Sequence, residues 1–387
     1  MTGSVSRLRL RRRSVLLSGL AGLIAVGVPT GLYLTRARGV GRLAVLGTAV
    51  PFAYNESSTQ AALSVRAVAF HPSGHALAAF DAGEVVTLWN IDDPSQPAPV
   101  TAHGAALQGV RGVFSPDGRV LATIHADGAD SAVGLWDVAD FSRVGALATL
   151  RGPAAGAGCL AIHPNGRVLA VASGDGQGGA KAISLWDITD PTAPAQLSAT
   201  DPTGYAEIWG MSFSPDGHVL AVGSDGVTSG ASGLWSVVDP RRPTALGEFA
   251  LGESHAAGSG IFSPNGRIVA TEGTSGSGDD GTVRIWDVVE PSHPVLLASF
   301  TGHSSGPRDL TEVNGLAFSP TGRVLATAGA DSVARLWNVS DPRRPALIAT
   351  VTGHIAALTG VAISPDGRVL ATSSIDHTTR LWSISGL

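Results

Sequence analysis

Several short constellations in this chain have residue types and spacings that could do chemistry. Gly302-His303-Ser304-Ser305-Gly306 fits Gly-x-Ser-x-Gly, which presents a hydrolase serine on a sharp strand-to-helix turn. Gly276-Ser277-Gly278-Asp279-Asp280-Gly281 fits Gly-x-Gly-x-x-Gly, whose glycines let a helix N-terminus approach a pyrophosphate. His71 and His75 stand four apart, as two metal ligands on one helix face do. The turns Asp127-Gly128-Ala129-Asp130 and Asp279-Asp280 offer oxygens to calcium, and Cys159 offers one thiol. Each also has a plainer reading. With 50 Gly in 387 residues, a glycine pattern of this kind arises about once by chance. Asp279 and Asp280 would repel pyrophosphate, and the acidic turns lack enough oxygens at fixed spacing. His71 and His75 flank a Pro-Ser-Gly turn rather than a helical one, and Cys159 precedes an apolar stretch as a buried small hydrophobe does. We expect no catalytic residue, no metal and no cofactor here.

Charge narrows the classes further. The basic residues are 25 Arg and one Lys, Lys181, which lies between Ala180 and Ala182. A P-loop needs Gly-Lys-Ser/Thr, and a protein kinase needs a strand Lys with His-Arg-Asp and Asp-Phe-Gly; none occurs, so no nucleotide site is expected. A single Cys excludes an intrachain disulfide framework and a Cys-based zinc site. Eight Arg fall within the first 42 residues, whereas all 31 acidic residues lie at or after Glu56. The body therefore carries 18 basic against 31 acidic residues, a net of −13, which repels a phosphate backbone and argues against a nucleic-acid partner. A hydrophobic fraction of 44% excludes a disordered chain.

The N-terminus reads as a membrane or export element. Residues 1–13 are basic, and Ser14 to Leu34 gives 21 uncharged residues, long enough to cross a hydrocarbon core of roughly 30 Å. Five Arg before the run and three after it place the N-terminus in the cytoplasm and the rest outside. The rival reading is an export signal, because Arg12-Arg13-Ser14-Val15-Leu16 resembles the twin-arginine motif. Residues 35–42 then form a linker.

The remainder is one unit read seven times. An apolar residue, Ser or His, then Pro-x-Gly recurs with its Pro at 72, 116, 164, 215, 264, 320 and 365. Seven Trp follow in step: Trp89, Trp136, Trp186, Trp235, Trp286, Trp337 and Trp382; only Trp209 is left over. Each unit reads as four short strands joined by tight turns, with Pro fixing φ and Gly relieving the exit. Seven such antiparallel sheets bury their faces by packing radially, which makes an all-β, seven-bladed β-propeller over residues 43–387. Blade seven lacks a fourth strand after Trp382, and Leu43 to Thr48 resembles the other outer strands. We expect this N-terminal strand to close the ring.

These residues resemble the WD-repeat (WD40) family. Gly302-His303 and Gly353-His354 match its Gly-His, and Trp136-Asp137, Trp186-Asp187 and Trp286-Asp287 match its Trp-Asp. The resemblance implies a hydrogen-bonded tetrad of His, Ser/Thr, Asp and Trp inside a blade. Blade six would use His303, Thr327, Asp331 and Trp337, and blade seven His354, Thr372, Asp376 and Trp382. Asp130 and Asp280 stand six residues before their Trp in the same way, but Gly83, Ala180 and Ser229 do so in blades one, three and four. The Asp-Pro-x-x-Pro linkers look like those of actinobacterial WD-repeat proteins.

The turns and linkers on one face of the disc are nearly constant in length, while the loops on the other face vary: Gly174 to Lys181, Gly223 to Gly230, Thr274 to Gly281 and Ser304 to Glu312. Varied loops on a rigid scaffold carry binding specificity. We expect a non-enzymatic scaffold, tethered to a membrane, that binds a protein partner on the variable face. The alternative is a small-ligand or lyase-like propeller using the central channel. Trp209, with Tyr205 just upstream, falls where the chain joins an inner strand near the channel mouth, at the position that Arg66 and Asn314 hold in other blades. Trp209 is either an exposed anchor or an inter-blade packing residue.

Overall fold

The structure, a computed structural model, describes residues 44–49, 64–100, 107–127, 130–151, 158–174, 180–200, 208–224, 232–249, 255–275, 278–303 and 313–387. They form seven four-stranded antiparallel sheets. The innermost strands are Val65–Phe70, Arg111–Phe114, Cys159–Ile162, Ile208–Phe213, His255–Phe262, Val313–Phe318 and Leu358–Ile363. Each lies against the next, and the last returns to the first, so the sheets close into a seven-bladed propeller. The membrane or signal helix expected over 14–34 falls outside the described residues. Among the described residues no helix is long and apolar enough to cross a membrane.

The repeated turn forms because its side chains satisfy its own backbone. In blade two, the Ser115 hydroxyl donates to Asp117 (2.5 Å) and accepts from the Val120 amide (2.9 Å), and Asp117 accepts from the Arg119 amide (3.0 Å). Gly118 then takes φ 74°, which a side chain would strain. The same bonds recur around Ser214 and Asp216 and around Ser364 and Asp366. Between the turns, the second strand of each blade is a buried apolar core, Leu-Ala in most blades and Val269-Ala270 in blade five, with Leu77, Leu121, Leu169, Leu325 and Leu370 at 0% exposure. One apolar cluster joins Val65, Leu77 and Trp89 of blade one to Val369, Ala371 and Leu381 of blade seven, so packing runs across the seam of the ring.

The Pro-bearing linkers keep a constant length because each is wedged beneath the outer strand of the preceding blade. A Cβ on Gly247 would lie 2.6 Å from the Pro291 carbonyl, and Ser198 donates to the Pro240 carbonyl (2.7 Å). The closing strand obeys the same rule. Ala44–Ala49 pairs antiparallel with Thr379–Ser383, Ala44 opposite Ser383 and Ala49 opposite Thr379. A Cβ on its Gly47 would lie 2.6 Å from the Pro94 carbonyl of blade one. The strand continues to Ala49, one residue past the expected Thr48, and its role is the expected one.

Candidate functional site

Among the described residues two hydrogen-bonded tetrads are complete. In blade six, Trp337 Nε1–H donates to the Thr327 hydroxyl (3.2 Å), which sends its own proton to His303 Nε2 (2.8 Å). That assignment leaves His303 Nδ1 as the donor to Asp331 (2.8 Å). Arg335 adds a bond to the other Asp331 oxygen (2.7 Å). In blade seven, Trp382 donates to Thr372 (2.9 Å), Thr372 bonds His354 Nε2 (2.8 Å), and His354 Nδ1 bonds Asp376 (2.8 Å). Here Thr378 replaces the arginine on the carboxylate (2.6 Å). Glycine is required beside the blade-six ring, since a Cβ on Gly329 would sit 2.1 Å from His303 Nδ1.

Burial sets the electrostatics. Desolvation holds the His303 pKa below its usual value, so the ring is neutral in the fold. Burial works to raise the Asp331 pKa, but the hydrogen bond from His303 and the hydrogen bond and charge of Arg335 outweigh it and bring it down to about 2. Asp376 is likewise lowered, by His354 and Thr378 against burial. His303 is thus spent inside its blade, and Gly302-His303 sits where an outer strand turns inward, with no helix following among the described residues. The Gly276 to Gly281 string falls at a hairpin, Ile268–Ser275 paired with Gly278–Asp287. Among the described residues no three His, Cys, Asp or Glu gather as a metal site.

The remaining blades satisfy their Trp differently. Trp136 and Trp286 donate to Thr123 (2.8 Å) and Thr271 (3.1 Å). Trp186 uses Ser184 (2.9 Å), two residues before it, because Val171 holds the threonine position. Among the described residues the buried Trp89 Nε1 has no partner, since Ala79 stands at the threonine position in blade one. The side chains of Asp130 and Asp280 lie outside the described residues.

Histidine has a second role that spacing alone did not reveal. His71 and His163 replace the turn serine in blades one and three. Nδ1 accepts the amide two residues on, of Ser73 (3.1 Å) and Asn165 (3.0 Å), so Nε2–H donates to the next blade, at Gly118 (2.9 Å) and Gly217 (3.0 Å). His75 instead pairs with Asp92 (2.6 Å) on the surface.

On the variable face, Trp209 is 43% exposed and Ile355 85%, with Ile375 and Val85 also exposed. The Ile355 amide donates to the tetrad carboxylate of Asp376 (3.1 Å), so the most exposed isoleucine sits on a fixed backbone. Trp209, Arg66 and Asn314 all occupy a bulge at the start of their inner strands. Arg66 is exposed, whereas half-buried Asn314 donates its amide to the Leu358 carbonyl of the next blade (2.7 Å). Tyr205 lies outside the described residues, as do parts of the four variable loops.

The WD domain, G-beta repeat family matches residues 145–177, 197–228, 254–287, 294–338 and 345–383. These segments start at the outer strand of blade two and reach into every blade from three to seven; blade one and the first three strands of blade two lie outside them but build the same four-stranded sheets. The chain is 30% identical over 209 residues to the WD repeat-containing protein VIP3 of Arabidopsis thaliana, covering 49% of this chain and 54% of that one. It is 25% identical over 312 residues to the Arabidopsis thaliana transcriptional corepressor LEUNIG_HOMOLOG, covering 79% and 34%. It is 28% identical over 217 residues to telomerase protein component 1 of Rattus norvegicus, covering 55% and 7%. The chain thus spans about half or less of each relative, and these relatives are eukaryotic rather than actinobacterial.

Proposed function

As the chain belongs to the WD40-repeat family, we propose that it is a non-enzymatic scaffold that holds a protein partner on its variable-loop face. One observation carries this reading. Large apolar side chains, Trp209 and Ile355, stand exposed on that face, Trp209 on an inner strand paired into its sheet and Ile355 on a backbone whose amide is held by Asp376. Exposed aromatics on a rigid frame make good anchors, because little conformational freedom is lost when they are covered. The test is capture of partners by the full chain and by Trp209→Ala and Ile355→Ser. Both variants should keep the wild-type melting temperature and lose the partner. Val238→Ser and Val289→Ser, exposed on the constant face, should keep it. Capture lost equally in all four, or in none, refutes the reading.

We further infer a membrane tether through residues 14–34, with the N-terminus cytoplasmic and the propeller on the far side. The uncharged run and its flanking arginines support it. A reporter fused after Leu387 should be active outside the cytoplasm, with residues 14–34 retained in the mature chain. Loss of that segment would favour export by the twin-arginine route instead.

A further inference from the structure

The inner strands approach one another so closely near the variable face that they admit only small residues. A Cβ on Gly210 would lie 2.5 Å from the Ser259 hydroxyl, and one on Gly315 would lie 3.1 Å from Gly360 Cα. The equivalent positions in blades one and three are Ala67 and Cys159. Blade two breaks the rule with Arg111, which is exposed and lies near enough to Cys159 of blade three for its charge to act on that thiol.

One residue earlier is the bulge position. Two of its side chains are spent on the next blade: Asn314 on the Leu358 carbonyl, and Thr359 on the Val65 carbonyl (2.6 Å). Arg66 holds that position in blade one. Asp81, opposite Val65 in the register, is buried and its carboxylate accepts from the Val85 amide (2.8 Å). Among the described residues neither Arg66 nor Arg111 makes a hydrogen bond or ion pair. Two exposed cations on adjacent inner strands thus stand without counter-charge in a body that is acidic overall. Trp209 shares their end of the inner strands, three blades from Arg66.

We propose that the starts of the inner strands in blades one and two anchor an acidic segment of the partner, whose carboxylates pair with Arg66 and Arg111. This rests on the docking reading above and specifies the partner's chemistry. Guanidinium groups take carboxylates in a two-point geometry, which selects Asp and Glu over neutral residues. A nucleic acid is disfavoured because the acidic body repels the rest of a phosphate chain.

The test pans a phage library of random dodecapeptides on the full chain. Enriched peptides should carry Asp or Glu, and Arg66→Glu with Arg111→Glu should turn the selection toward Lys and Arg. A labelled selected peptide should bind up to about fivefold more weakly to Arg66→Gln or Arg111→Gln, and more weakly still as salt rises. Peptides that depend on Trp209 but lack acidic residues would overturn this inference and leave the docking face standing. If no enriched peptide depends on Trp209, Ile355, Arg66 or Arg111, both fail. Tighter binding of a single-stranded DNA dodecamer than of the peptide would also overturn it.

Discussion

Thr327→Val isolates what a tetrad contributes. Valine keeps the shape of threonine and removes one oxygen that makes two bonds, to Trp337 at 3.2 Å and His303 at 2.8 Å. Thr327 is 0% and His303 2% exposed, so water cannot replace either bond. Leaving a buried polar group unpaired costs about 1–3 kcal/mol. With two groups orphaned, we expect a loss of about 2–5 kcal/mol. Thr372→Val should agree within about 1 kcal/mol, because its bonds are 2.9 and 2.8 Å. The exposed outer-strand variant Thr244→Val should stay within about 0.5 kcal/mol of wild type. Urea unfolding of the full chain measures all three, with midpoints compared at unchanged slope. Trp89 shows that one unpaired indole is tolerated, so survival of the fold is no refutation. A loss no larger than that of Thr244→Val would be one, because the tetrads would then be ornament rather than support.

Acid should destabilise the propeller in two stages. His303 binds its proton more weakly in the fold than a free imidazole does, so the unfolded chain protonates first and stability falls below about pH 6.5. Asp331 adds a second loss as pH falls from about 4 towards 2, and Asp331→Asn should flatten that acidic part of the melting-temperature profile; an unchanged slope there sinks the assignment. Gly118→Ala should cost about 2–4 kcal/mol, since its Cβ would lie 2.2 Å from His71 Nε2 at φ 74°. Gly166→Ala, with φ 72° and its nearest neighbour at 3.7 Å, should cost only about 1–2 kcal/mol. Combining His71→Ala with Gly118→Ala should recover the difference, and strict additivity would show that no clasp exists. Cys159, whose thiol burial pushes up to about 12, should resist iodoacetamide at pH 8 until urea unfolds the chain. Rapid labelling of the native protein would contradict its burial.

What the sequence disclosed follows from how far apart the interacting residues lie. The Ser115 turn closes within five residues, so its chemistry is written in a short string. The tetrads reach further, 28 residues from His303 to Asp331, but stay inside one repeat and keep step with it. Contacts between blades escaped. His71 reaches Gly118 across 47 residues, His163 reaches Gly217 across 54, and Asn314 reaches Leu358 across 44. Those separations are about one repeat period, so a unit compared only with its copies cannot show them. The signal that was present was the His-Pro variant of the turn in blades one and three alone. The acceptor of Trp186 escaped for a different reason: it moved from the second strand to Ser184 on the tryptophan's own strand.

Closure determines where specificity can reside. Across the seam, Gly47 sits against Pro94, Gly74 against Pro365, and Thr359 bonds Val65. Each contact repeats one made elsewhere in the ring: Gly247 against Pro291, Gly166 against Pro116, Asn314 to Leu358. The joint between the two ends of the chain is therefore built like the other joints, although its partners are 294 residues apart at Thr359 and Val65. A ring with no distinct seam offers no distinct sector for recognition in its frame. The described blades differ most where the inner strands begin and the variable loops turn, at Arg66, Arg111, Trp209 and Ile355. A partner that distinguishes one blade from another must read it there.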